Sequence, residues 1–126
     1  MKRSLFHFTW FVLLTAFYFI VRFCLFDLHG MKQYPLMLFA AASFVIVVSM
    51  VFNARLLTVF SFGGYSVGFL LGYIFHSEGT DPGGGATDNL WIIWLISFIC
   101  FCALGVLCQT VPKYLGKITD KKNNVK

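Results

Sequence analysis

SFGGYSVGFLLGYIFHSEGTDPGGGATDN, residues 61–89, joins a glycine-striped apolar segment to a loop rich in glycine and acidic side chains. Gly64, Gly68 and Gly72 fall four apart, so on a helix they form one nearly bare line along which another helix can approach closely. The loop that follows carries Glu78, Asp81 and Asp88, three of the five acids, and no Lys or Arg. Together they describe a membrane helix built for contact that delivers a distinctive loop to one side of a bilayer.

The rest of the chain fits that setting. With 59% hydrophobic, 19% aromatic and 12% charged residues over 126 positions, and a mean hydropathy of +0.80, the composition lies outside the soluble range. Lipid is the solvent for most of it. The net charge of +5 does not indicate nucleic acid, because Lys and Arg sit at the ends and in short links rather than alternating with aromatic residues on a surface. Orientation in a bilayer accounts for them. Cys24, Cys100, Cys102 and Cys108 lie inside apolar stretches, which is not the pattern of a secreted disulfide framework. Cys100 and Cys102 point about 200° apart on a helix and read as packing residues rather than a metal or redox pair.

Four spans are expected, at about residues 5–26, 34–52, 56–75 and 89–108, forming an all-α integral membrane protein with a compact four-helix transmembrane domain over 1–112. The first run is longer than a signal-peptide core and lacks a small-x-small site after it, so an uncleaved anchor is expected. Arg22 is the one formal charge inside a span. Near the exit end it is expected to snorkel to the headgroups or pair with Asp27, the sharper alternative being an anion contact or gating residue facing a cavity. Pro35 suits the first turn of the second helix, and Ala40, Ala41, Ala42 and Ser43 make a narrow waist at its middle. So short a link as Asn53, Ala54 and Arg55 makes the second and third spans an antiparallel hairpin. The stripe of Gly64, Gly68 and Gly72, with Ser61 on the same segment, is expected to pack against that waist. A polar path lined by these residues with Tyr65 and Tyr73 is the alternative. Trp91 and Trp94 are expected at the interface, Thr87 or Asp88 as the helix cap, and Pro112 as the end of the fourth helix. Residues 113–126, with five lysines and one acid, read as a basic cytoplasmic tail holding at most a short surface helix near Tyr114–Ile118.

Charge sets the expected topology. With a cytoplasmic N-terminus, Lys2, Arg3, Arg55, Lys113, Lys117, Lys121, Lys122 and Lys126, eight of the ten basic residues, face inwards. Asp27, Glu78, Asp81 and Asp88 face outwards. Both termini are therefore expected inside and the 76–89 loop outside.

No nucleophile–base constellation, G-x-S-x-G, Walker-type or H-E-x-x-H motif is present, so an enzyme is not expected. No span holds a carboxylate of the kind small proton-coupled exporters use. The three histidines, His7 at one end and His29 and His76 at the other, do not suggest a haem pair, and no cofactor is expected. Asp27-x-His29 and His76-x-Glu78 emerge on one outer face and are the candidate ligands for a divalent cation, with Asp81 in reach. The expected function is a non-catalytic accessory or scaffold subunit, embedded in the lipid bilayer and docked to a membrane-protein partner through small-residue helix faces. A homo-oligomeric channel or transporter, including a holin-like pore, is the alternative.

Overall fold

A computed structural model describes residues 2–24 and 33–126. Helix α1 spans Lys2–Cys24, α2 Tyr34–Val51, α3 Arg55–Phe75 and α4 Leu90–Asn124, with short strands β1, Glu78–Thr80, and β2, Ala86–Asp88, between α3 and α4. All four helices are long and apolar enough to cross a membrane.

Local chemistry sets the boundaries. Pro35 occupies the first turn of α2, where its missing N–H costs no helical bond. The far end of α2 closes with Asn53 at φ 54°, Asn53 N donating to the Met50 carbonyl at 3.3 Å and Ala54 N to the Ser49 carbonyl at 2.8 Å. These paired bonds capture the last carbonyls and reverse the chain within one residue. Asparagine tolerates the left-handed backbone that a β-branched residue resists. The expected hairpin of α2 and α3 thus rests on a defined cap.

Two elements differ from expectation. The 76–89 connection contains an antiparallel ladder pairing Glu78 with Asp88, Gly79 with Thr87 and Thr80 with Ala86. Gly84 N donates to the Asp81 carbonyl and Asp81 N to the Gly85 carbonyl, each at 2.8 Å. Pro82 presets the turn and Gly84, at φ 82°, takes the left-handed position a three-residue hairpin needs. Pro112, expected to end α4, lies inside it, and the helix continues to Asn124. One proline removes a single intrahelical bond, and Lys121 and Lys122 in the last turn complement the helix dipole. At 35 residues, α4 is about 52 Å long, well beyond the roughly 30 Å hydrocarbon core.

Helix α3 is the hub. It packs along most of its length on α4 and also on α1 and α2, whereas α4 meets those two helices sparsely. On α1 the inward positions include His7, Leu14 and Val21, the seven-residue repeat of helices that wrap gently around a neighbour. Across the α3–α4 seam, Gly72 faces Leu90, Gly68 faces Trp94 and Gly64 faces Phe98, while Gly105 faces Phe60 and Leu57. This is antiparallel packing in a regular register. It brings the start of α3 level with the turn of α4 just after Gly105.

Candidate functional site

Three places gather polar or close-packed residues, and each is positioned by α3. The first is the glycine face. A Cβ added at Gly64 would stand 2.8 Å from Phe101 Cβ and 3.3 Å from the Phe98 backbone. At Gly68 it would meet Trp94 Cδ1 at 2.8 Å and the Trp94 carbonyl at 3.1 Å, and at Gly72 the Leu90 carbonyl at 3.1 Å. Glycine is needed here because two backbones approach within side-chain distance. The neighbour is α4, not the waist of α2 that the sequence suggests. Of the waist residues Ala42 is buried and Ala40 and Ala41 lie on the outer side. Ser61 alone of the expected set reaches it, its Oγ donating to the Ala42 carbonyl at 3.4 Å. On α4, Gly105 completes the seam, its own Cβ position lying 2.8 Å from Phe60 Cβ. Its signal in the sequence was a lone glycine within a long apolar run.

The second is an aromatic knot near the hairpin end of the bundle. Trp94 is 0% exposed, so it is a core residue rather than a headgroup anchor. Its indole N–H donates to the Tyr65 carbonyl at 2.9 Å, and its ring lies 5.1 Å from that of Tyr65 and 5.3 Å from that of Phe69. Tyr65 in turn donates its hydroxyl to the Pro35 carbonyl at 3.2 Å. Tyr34 donates to the Trp91 carbonyl at 3.0 Å. With little water to bond, each aromatic polar atom finds a backbone carbonyl on a neighbouring helix, tying α2, α3 and α4 together. Trp91 remains partly exposed. Tyr73 is half exposed and stands apart from Tyr65, which is sealed in the core.

The third lies at the opposite end, where α1, α2 and α3 meet. His7 is only 2% exposed, and Ser49, Thr58 and Ser61 are fully buried. His7 Nδ1 and Thr58 Oγ1 share a hydrogen bond of 2.8 Å, and Ser49 Oγ donates to the Val45 carbonyl at 2.7 Å. His7 Nε2 is enclosed without a hydrogen-bond partner among the described residues. Arg55 covers the neighbouring Phe6 ring at 5.7 Å from its centroid. Placing His7 and Thr58 at the same end of their spans was within reach of the sequence, but their pairing was not.

The remaining expected site residues are dispersed. Arg22 lies on the exposed side of α1, with Nη1 donating to the Tyr18 hydroxyl at 3.4 Å. Of the candidate cation ligands, Asp27 and His29 lie outside the described residues. His76 donates from Nδ1 to the Tyr73 carbonyl at 2.6 Å, and Glu78 is exposed on β1. Among the described residues no three His, Cys, Asp or Glu side chains gather as a metal would require. Asp88 accepts from Leu90 N at 2.9 Å and Asn89 from Ser77 N at 2.7 Å. The N-cap position of α4 is Asn89 rather than the expected Thr87 or Asp88, and it makes no side-chain cap bond; Asp88 reaches the first amide of the helix from the residue before it.

No protein-family model matches this chain, and comparison with curated proteins and with solved structures finds no match.

Proposed function

We propose that this chain is a non-catalytic multi-pass membrane protein acting as an accessory or scaffold subunit of a larger membrane assembly, with both termini cytoplasmic and the β1–β2 hairpin outside. The observation that carries this reading is how the small residues are divided. Gly64, Gly68 and Gly72 are filled by α4, which removes that face as the wall of a path in this bundle. Ala40 and Ala41 stay on the outer side of α2, where small side chains let a foreign helix come close. Ser61, Tyr65 and Trp94 spend their polar atoms on carbonyls of the same chain, and His7 Nδ1 is spent on Thr58, which supports a holding role.

Purification of the tagged chain in mild detergent tests it. A larger membrane protein co-purifies with the unaltered chain and is lost from the Ala40→Leu, Ala41→Leu variant, whose outward positions leave the internal packing untouched. A defined homo-oligomer that conducts ions or solutes in liposomes, with no second protein bound, replaces this reading by the channel alternative.

A further inference from the structure

The unexpected continuation of α4 creates a surface that the four-span pattern alone does not. Beyond Cys108 the helix passes the start of α3 and runs on for about 25 Å. Measured from Leu90 at one boundary, 30 Å of hydrocarbon ends near Gln109. Lys113 and Tyr114 then stand at headgroup depth, with Lys117 at its edge and Lys121 and Lys122 within about one Debye length of it. The lysines at 113, 117 and 121 recur every four residues and form a row. Beside that row, Val111, Tyr114, Leu115 and Ile118 form an apolar strip that continues the outward side of α4 from Leu104 and Leu107. Tyr114, Leu115 and Ile118 are 72%, 59% and 61% exposed. The same end of the bundle carries Lys2, Arg3 and Arg55, since Phe6 packs under Arg55 and Gly105 lies on Leu57. Asp120 is the only acid among residues 108–126.

We infer that this end of α4 is a binding surface for anionic phospholipid headgroups. The lysine row takes the lipid phosphates, and the apolar strip beside it settles against the acyl boundary as the helix leans towards its outward side. Charge complementarity and depth select lipid over a second copy of the chain, because Lys117, Lys121 and Lys122 flank the strip and would face their own kind in a homodimer.

The full chain in phosphatidylcholine bilayers, probed with trace spin-labelled phosphatidylglycerol or phosphatidylcholine, tests the assignment. At low ionic strength the motionally restricted shell takes up the anionic probe with roughly threefold preference. Preference falls to near parity in about 0.5 M NaCl and in the Lys113→Gln, Lys117→Gln, Lys121→Gln, Lys122→Gln variant at unchanged helix content. Equal uptake of the two probes by the unaltered chain, or a preference that survives the four substitutions, overturns it. Amide protection at residues 114–118 that rises with protein density in neutral bilayers assigns the strip to a second copy and overturns it as well.

Discussion

Gly63 and Gly64 are neighbours in sequence and opposites in consequence. A Cβ at Gly63 meets only the Phe101 ring edge at 3.6 Å, ordinary contact, whereas at Gly64 it runs into Phe101 Cβ at 2.8 Å and the Phe98 backbone at 3.3 Å. Neither of those atoms is the free end of a flexible side chain, so α3 and α4 must separate. Gly64→Ala is therefore expected to cost about 1–3 kcal/mol, while Gly63→Ala is neutral or stabilising by up to about 1 kcal/mol through helix propensity. Denaturant titration in micelles followed by circular dichroism measures both, and equal effects of the two substitutions would refute the seam. His7 Nδ1 and Thr58 Oγ1 bond across two helices, an interaction worth on the order of 1 kcal/mol in a bilayer, while His7 Nε2 stays without a partner among the described residues.

At the scale of elements, the ends of the helices carry more information than their middles. The α2–α3 turn depends on Asn53 at positive φ and on the carbonyls of Ser49 and Met50 that it caps. Valine there would be forced into a backbone that crowds its branched Cβ. Asn53→Val is expected to destabilise the hairpin by about 1–2 kcal/mol, and Asn53→Gly to be tolerated or mildly stabilising. The same micelle titration reads both, and a harmless valine would show that the turn is held by something other than its cap. Helix α4 makes the complementary point. A proline after an apolar run is a fair signal of a helix end, yet its effect is limited to one lost bond and local crowding, and a polar segment able to continue the helix does so.

On the scale of the whole molecule, the bundle is polar at its ends in different ways. One end has the acidic hairpin, the other the N-terminus, the α2–α3 turn and the basic extension of α4. An insertion machinery that retains Lys and Arg on the cytoplasmic side is expected to place the second end inside. Reporter fusions after Lys126 and within residues 82–85 check this: the first active only in the cytoplasm, the second only outside. The reverse result would invert the proposed orientation. Four helices long and apolar enough to cross a membrane, the short α2–α3 link and this charge asymmetry were legible in the sequence, because apolar length and net charge are properties of local stretches. Which face meets which helix was not. Lipid is as apolar as leucine, so no hydrophobic gain ranks the waist of α2 above the aromatic side of α4 as partner for Gly64, Gly68 and Gly72. Shape decides instead: Leu90, Trp94 and Phe98 fill the glycine line, and Trp94 finds the Tyr65 carbonyl only in that register. The sequence by itself determined four apolar stretches long enough to cross a membrane, with one basic and one acidic end. Only the tertiary structure decided that the glycine stripe belongs to α4, because close packing of complementary surfaces is a property of pairs.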